Sequence, residues 1–216
     1  MPRESRKAKT NRAAEIVRRL QQEYPEAKTS LDYDNVHQLL VATILSAQCT
    51  DERVNMTTPA LFEKYQSVDD FANADIEELE KMVQSCGFFR SKAKSIKTSA
   101  QALVERYGGE MPQTLDELVK LPGVGRKTAS VVLGAGFGIA EGVVVDTHVA
   151  RISGLLKLTD KKEPAKIEQD LMKVIDPADW IRFSHLLIYH GRAVCIARRP
   201  KCAECVLSDL CPSSRV

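Results

Sequence analysis

Hydrophobic side chains recur along most of the chain at intervals of three or four residues, which is the spacing of one face of an α-helix. Ile16, Leu20 and Tyr24 form the first stripe, and Pro25 ends it. From Leu39 to Leu45 nearly every residue is apolar, which predicts a helix buried on all sides. Further stripes predict helices at Ile76, Leu79 and Val83, with Asp75 as N-cap; at Ile96, Ala100, Leu103, Val104 and Tyr107, ended by Gly108 and Gly109; at Leu115, Leu118 and Val119, ended by Pro122; at Thr128–Ala135; at Ile167, Leu171, Val174 and Ile175; and at Trp180, Phe183 and Leu187.

One segment, Val143–Val145, departs from the helical pattern, because three β-branched residues in a row favour an extended backbone. No other segment offers a partner strand, so we expect an extended, buried connector here. The pattern therefore predicts an all-α fold. Since no repeat or flexible linker interrupts it, any two domains are expected to pack closely.

Composition narrows the class of protein. The 216 residues are 44% hydrophobic and 28% charged, which is typical of a globular protein with one large or two small domains. No uncharged stretch is long enough for a membrane span, and the start, MPRESRKAKT, lacks the apolar core of a signal peptide. We therefore expect a cytoplasmic protein whose six cysteines are thiols or metal ligands rather than disulfides.

The net charge of +2 is too small to identify a nucleic-acid partner, but the charges are unevenly distributed. Met1–Lys28 contains eight basic and four acidic residues, and Asp51–Glu80 contains two basic and nine acidic residues. Arg90–Arg106 contains five basic residues and one acidic residue. Such segregation can build a positive surface on a near-neutral protein. Charge alone leaves ordinary solvated helix faces an equally good explanation.

A cluster of four cysteines lies within 17 residues in the pattern C-x6-C-x2-C-x5-C: Cys195, Cys202, Cys205 and Cys211. Four thiolates in so short a segment can bind a zinc ion or an iron–sulfur cluster, and spacing alone favours neither. A loop braced in this way would hold Arg198, Arg199 and Lys201 ready for phosphate contacts. Cys49 and Cys86 are isolated, and we interpret them as small buried hydrophobic residues.

The segment LPGVGRKTA, residues 121–129, joins two short helical patterns. Pro122 ends the first helix, and Gly123 and Gly125 permit a tight hairpin with positive φ. Backbone N–H groups of these glycines and of the next helical turn would then point outward and form an anion site suited to a DNA phosphate. A plain helix–helix turn is the alternative, but it does not require Gly-Arg-Lys at the start of the second helix.

Lys127 lies where a cation is unfavourable, at the positive N-terminus of the second helix. That field, together with partial burial, is predicted to lower the pKa of its amine from about 10.4 to near 8. Such a change corresponds to roughly 3 kcal/mol of destabilisation of the charged form. A neutral amine is a nucleophile and can form a Schiff base. The alternative is a lysine that only binds phosphate.

Three motifs in this order, LPGVGRKTA, VVVDTH at 143–148 and the four-cysteine loop, resemble the endonuclease III family of helix–hairpin–helix DNA glycosylases, as does LSAQCTD near the start. The resemblance implies that Lys127 attacks C1′ of the damaged nucleotide and that Asp146 assists. Read without the family, Asp146 is an N-cap, and both roles are compatible. It also implies one [4Fe–4S] cluster per chain on Cys195, Cys202, Cys205 and Cys211, with a structural and DNA-orienting role.

Further site residues follow from the same resemblance. Gln48 corresponds to the residue that fills the gap left by the extruded base. Phe88 falls near a second wedge residue, although the family pattern there is aliphatic before aromatic and this chain has Phe88-Phe89, which leaves core packing as an alternative. The DNA backbone is expected to contact the hairpin and the basic loop: Gly123, Val124, Gly125, Arg126, Arg198, Arg199 and Lys201.

The family architecture implies two helical lobes. Residues 29–139 would form a six-helix lobe that contains the helix–hairpin–helix at 114–138, and residues 1–28 plus 140–216 would form the cluster lobe. The expected activity is removal of oxidised pyrimidines from duplex DNA followed by β-elimination at the abasic site. The expected protein is a monomer that uses no nucleotide cofactor and binds no membrane.

Three alternatives remain from the sequence. An adenine glycosylase of the same superfamily usually lacks the lysine and carries an extra C-terminal domain. A glycosylase for uracil or thymine mismatches is disfavoured by Lys127. The third is a non-catalytic DNA-binding protein with a zinc site made of the four clustered cysteines, which a colourless, zinc-containing protein would indicate.

Overall fold

The structure is a computed structural model, and it describes residues 4–216. Throughout that range the regular structure is helical, which confirms the all-α prediction. The α-helices are α1 Arg6–Glu23, α2 Val36–Ser46, α3 Asp51–Lys64, α4 Val68–Asn73, α5 Ile76–Val83, α6 Phe89–Tyr107, α7 Leu115–Leu118, α8 Arg126–Val131, α9 Thr147–Leu155, α10 Pro164–Met172 and α11 Trp180–Ala193.

Local signals fix most of the helix ends. The Asp75 side chain accepts a hydrogen bond from the Glu78 amide at 2.9 Å and caps α5 as predicted. Gly108 ends α6 in the left-handed conformation, with φ of 61°. The connector Val143–Val145 contains neither helix nor strand, as expected, but only Val143 is buried, while Val144 and Val145 are partly exposed. The expected regular helix Thr128–Ala135 is wrong in part, because α8 gives way to a π-helical turn over Val132–Phe137.

The chain divides into two compact units: Ser30–Glu141, which contains α2–α8, and the described residues up to Thr29 together with Gly142–Val216. In Ser30–Glu141 the core includes fully buried Leu40, Leu79 and Ile96. No helix within residues 4–216 combines the length and apolar character that crossing a membrane requires.

In the other unit, α1 packs its Ile16 and Leu20 into a core shared with Phe183 of α11. The same helix anchors the C-terminal loop through two arginines. Arg12 donates to the Leu156 carbonyl at 2.7 Å and to the Leu210 carbonyl at 3.3 Å, and Arg19 donates to Asp209 at 2.6 Å. The four-cysteine segment, which has few core residues of its own, is thereby tied to the helical core.

Candidate functional site

The hairpin between α7 and α8 is built around one glycine. Gly123 has φ of 75°, and a Cβ atom there would collide with the Ser95 side chain of α6. Gly125 differs, since its φ of −86° and ψ of 169° are ordinary extended values and open space surrounds its Cα. The positive φ that the two glycines were predicted to permit is thus adopted by Gly123 and not by Gly125. Only Gly123 is required by conformation and by space.

Val124 holds the hairpin to the core rather than presenting it outward. Its side chain is 5% exposed, and its N–H donates to the Leu121 carbonyl at 3.1 Å. Val124 therefore anchors the hairpin to the core, and its contact with DNA stays a prediction.

Helix α8 begins directly after the hairpin, with Gly125 as its N-cap and no side-chain cap on its first turn. Arg126 and Lys127 occupy that first turn, and both side chains are exposed. The partial burial predicted for Lys127 is therefore wrong for the free protein. An exposed amine lies instead at the positive end of the helix, where an anionic ligand is favoured.

Asp146 caps α9 in the other unit. Its Oδ1 accepts a hydrogen bond from the Val149 amide at 2.7 Å, which confirms the N-cap interpretation from the sequence. Burial lowers the pKa of His185, and the negative charge of Asp146 opposes that shift. Asp146 therefore lies near enough to His185 to act on this partly buried imidazole.

Gln48 and Phe88 share an uncommon backbone conformation. Both are non-glycine residues with positive φ, 53° and 47°, and both are exposed. Phe88 is 67% exposed, so core packing is excluded for its side chain. Strained backbone of this kind costs about 1–3 kcal/mol and concentrates at ligand-binding segments. The two residues are candidates for contacts with a ligand outside the fold.

The four clustered cysteines all line one cavity of about 360 Å³. That is many times the roughly 15 Å³ which a single water-sized sphere occupies. Among residues 4–216, no group of three or more His, Cys, Asp or Glu side chains is arranged to hold a single metal ion. A donor set of four thiols around one cavity of this size is suited to an iron–sulfur cluster.

The thiols are close enough to influence one another. Burial first, and then the neighbouring cysteines, raise the pKa of Cys205 and of Cys211. The Leu207 amide donates to Cys205 Sγ at 3.4 Å and opposes that rise. Converging thiolates of this kind are stabilised by the positive charge of bound iron.

Two residues beside the cysteines were missed by sequence reasoning. Arg151 of α9 donates to Cys195 Sγ at 3.6 Å and to the Cys195 carbonyl at 2.8 Å. His190 of α11 lies with Nε2 3.4 Å from Cys205 Sγ and Nδ1 3.2 Å from the Tyr24 hydroxyl. The position of His190 five residues before Cys195 was a usable signal, whereas nothing in the sequence pointed to Arg151.

The loop between Cys195 and Cys202 carries exposed cationic side chains. Arg198, Arg199 and Lys201 are all exposed, and the Lys201 amide donates to the Val194 carbonyl at 3.0 Å, which closes the loop. The loop thus presents positive charge outward from a fixed base.

Comparisons with known proteins agree with this arrangement. The family described as HhH-GPD superfamily base excision DNA repair protein matches residues 41–177, and the iron–sulfur binding domain of endonuclease III matches residues 195–211. The chain is 55% identical to endonuclease III of Synechocystis sp. over 208 residues, which cover 96% of this chain and 95% of that protein.

Two solved structures resemble the fold equally well. One is a non-covalent endonuclease III–DNA complex and the other a trapped endonuclease III–DNA covalent intermediate. Each has a TM-score of 0.88 and 40% identity, and covers 95% of this chain and 96% of its own. The match over residues 195–211 makes a [4Fe–4S] cluster the cofactor of this protein. The chain belongs to the HhH-GPD superfamily of base excision DNA repair proteins and, within it, to the endonuclease III family of DNA glycosylases.

Proposed function

We propose that this protein removes oxidised pyrimidines from duplex DNA and then cuts the strand at the resulting abasic site, with Lys127 as the nucleophile. The observation that carries the proposal is the position of Lys127, an exposed amine in the first turn of α8 directly after the Gly123 hairpin. A relative 40% identical has been trapped covalently on DNA, which supports a covalent step in this family.

In the proposed mechanism the neutral Lys127 Nζ attacks C1′ of the damaged nucleotide. The base leaves with the electrons of the glycosidic bond and takes up a proton, so that Nζ, after losing one proton, is bonded to C1′. The C1′–O4′ bond of the sugar ring then breaks, O4′ takes up a proton, and the nitrogen lone pair forms the iminium ion between Nζ and C1′. Loss of a proton from C2′ then breaks the bond between C3′ and its oxygen, which is β-elimination. Hydrolysis of the iminium returns the free amine.

Asp146 is proposed to act on the same reaction through its charge. A carboxylate can accept the proton that the lysine must lose, or stabilise positive charge that develops on the sugar. Its Oδ1 already holds the first turn of α9 at 2.7 Å, so the carboxylate has a fixed orientation. Capping and catalysis are therefore compatible in one residue.

The phosphate contacts are proposed to come from Gly123, Gly125, Arg126, and the basic loop with Arg198, Arg199 and Lys201. The cluster, when bound by Cys195, Cys202, Cys205 and Cys211, would supply rigidity to this loop and no step of the reaction. Contacts of this type position the enzyme without reading sequence. Replacing Arg198 and Arg199 by Ala should weaken binding equally on unrelated duplexes and reduce the salt slope by about one per lost contact.

Gln48 and Phe88 are proposed to enter the duplex at the lesion while the damaged nucleotide rotates out, at a cost of a few kcal/mol. Their exposure and positive φ support this role. Alanine at either position should slow excision in single-turnover assays. Binding to undamaged duplex should change little, because the phosphate contacts remain.

The chain is proposed to form two lobes and to act as a monomer. Residues 29–139 would form the six-helix lobe and residues 1–28 with 140–216 the cluster lobe, supported by the compact units described above. We propose a monomer that needs no nucleotide cofactor and acts in the cytoplasm at the nucleoid, where duplex DNA is found. Light scattering on the purified protein tests this oligomeric state, with an expected molar mass of 24.0 kDa.

The deciding experiment is borohydride trapping on a duplex with one thymine glycol. The native protein should form a covalent adduct, Lys127→Gln should form none, and Lys120→Gln, which removes a neighbouring exposed lysine, should react normally. An adduct from Lys127→Gln would move the nucleophile elsewhere. No adduct from the native protein on this duplex or on an abasic duplex, with the cluster loaded, would refute the lyase.

A further inference from the structure

A buried lysine joins the two segments that carry Gln48 and Phe88. Lys92 of α6 is 5% exposed, and no other Lys, Arg, Asp or Glu in the part of the chain that the structure describes is buried as deeply. Its Nζ donates to the Leu45 carbonyl at 2.9 Å and to the Cys86 carbonyl at 2.8 Å. Lysine is almost never fully buried unless its amine is paired, so these two hydrogen bonds account for its position.

The first of these hydrogen bonds fixes the turn that presents Gln48. Leu45 lies in the last turn of α2, where carbonyls have no partner within the helix, and Lys92 supplies one. The chain then makes a type II turn with Ala47 at φ −58° and ψ 113° and Gln48 at φ 53°, which the Cys49 amide closes with a 3.0 Å hydrogen bond. Glycine or asparagine is the usual residue at the place of Gln48 in such a turn. Glutamine is therefore held there in a conformation that its own side chain does not favour.

The second hydrogen bond fixes the turn that presents Phe88. Cys86 ends a 3-10 turn, Gln84–Cys86, and lies two residues before Phe88. The backbone amide of Lys92 also donates to the Phe88 carbonyl at 3.1 Å, so Lys92 holds the chain on both sides of Gly87. Phe88 itself begins α6 in the left-handed conformation, with φ of 47° and ψ of 28°, which few residues with a Cβ adopt. Its position therefore depends on hydrogen bonds made by Lys92.

We propose that Lys92 is a positioning residue for base removal, because it holds Gln48 and Phe88 in the geometry in which both enter the duplex. This inference rests on the role proposed above for those two residues. A conformation that is already present before binding does not have to be ordered when DNA binds. A displacement of about 1 Å in a positioning group can cost on the order of 100-fold in rate. One amine bonded to both segments thus couples the positions of the two inserted side chains.

The test compares Lys92→Met, which has a side chain of similar length without a donor, with the native protein. Lys94→Met is the matched control, because Lys94 is exposed on the same helix. The substitution at Lys92 takes the donor away from the carbonyls of Leu45, which is 0% exposed, and Cys86, which is 2% exposed. Water is a poor replacement for a partner at such buried groups, so both turns should open more often.

Amide hydrogen exchange on cluster-loaded protein without DNA measures this opening directly. In Lys92→Met, exchange should be at least about tenfold faster in peptides that contain residues 46–49 and 84–92, and native elsewhere in Ser30–Glu141. Lys94→Met should exchange like the native protein. Native exchange in both of these peptides of Lys92→Met, or equally faster exchange throughout the unit, would overturn the positioning role.

Single-turnover excision of thymine glycol then measures the consequence for DNA. The maximal rate of Lys92→Met should be at least about tenfold lower, while the protein concentration that gives half of that rate and the affinity for undamaged duplex stay near native. In a Gln48→Ala/Phe88→Ala background the same substitution should slow excision by less than about twofold, because Lys92 acts through those residues. Equal slowing in both backgrounds would show that Lys92 acts elsewhere and would overturn the proposal.

Lys92→Gln is the second variant for the case that Lys92→Met does not fold, since it retains a donor that reaches less far. It should show the same localised exchange and slower excision, and native behaviour in both assays would overturn the proposal. Absence of excision by the native protein, or a native rate for Gln48→Ala/Phe88→Ala, would instead contradict the proposed function. Hydrogen exchange would still decide whether Lys92 holds the two segments.

Discussion

Replacing Gly123 by Ala tests the geometry of the hairpin most directly. Gly123 has φ of 75°, and the new Cβ would collide with the Ser95 side chain. An L-residue in left-handed conformation costs about 1–2 kcal/mol, and forcing atoms into a filled space costs roughly 1–3 kcal/mol more. We expect a loss of about 2–5 kcal/mol, a large part of the 5–15 kcal/mol that stabilises a typical protein.

Gly125→Ala is the matched control. The φ of −86° at Gly125 suits any residue, and nothing lies within 4 Å of the added Cβ. The only expected effect is a weaker N-cap, with a loss of stability of about 1 kcal/mol or less. Adding Ser95→Gly to Gly123→Ala removes the collision and should restore that part of the loss. What remains is the backbone strain at residue 123.

The assay is urea unfolding of cluster-loaded protein, followed by far-UV circular dichroism. Weaker binding to any duplex should accompany the loss of stability in Gly123→Ala, because the hairpin amides are displaced. If Gly123→Ala is no less stable than Gly125→Ala, or if Ser95→Gly restores nothing, the tight approach of the hairpin to α6 is refuted.

Three further predictions address other parts of the molecule. Burial lowers the pKa of His37 from 6.5 to about 4. Because the unfolded state binds the proton first, the free energy of unfolding should fall by up to about 3 kcal/mol as the pH drops from 6.5 to 4. The urea midpoint of His37→Phe should lack this pH dependence, and a variant with the native pH profile would contradict the prediction. Asp146→Asn keeps a good N-cap, so stability should be preserved while the rate of single-turnover base removal falls by a factor of about 100 or more. Asp146→Ala should in addition lose about 1 kcal/mol of stability, because the cap is removed. Equal rates of excision by Asp146→Asn and the native protein would exclude a role for the charge. Arg151→Gln removes a cation 3.6 Å from Cys195 Sγ and should therefore make the cluster harder to reduce in a spectroelectrochemical titration. The reduction potential of Arg151→Lys should lie closer to the native value. Identical potentials in all three proteins would show that this contact does not tune the cluster.

Much of the fold follows from local patterns. The stripe Ile76, Leu79, Val83 with its Asp75 cap predicted α5, and the stripe ended by Gly108 predicted α6, because helix periodicity and end signals act over a few residues. The π-helical turn at Val132–Phe137 was not predictable in this way. Within this turn Gly136 lies against α2, where a Cβ would come within 2.9 Å of Val36, a residue distant in the sequence.

The candidate site divides in the same manner. Sequence alone determined the donor set of four cysteines, the hairpin with its lysine, and the cap at Asp146, since each depends on the spacing of nearby residues. Tertiary structure decided that Lys127 is exposed, that Val124 is an anchor, and that Arg151 reaches Cys195. These facts depend on which helix faces pack together, and periodicity specifies that a face is buried without specifying its partner.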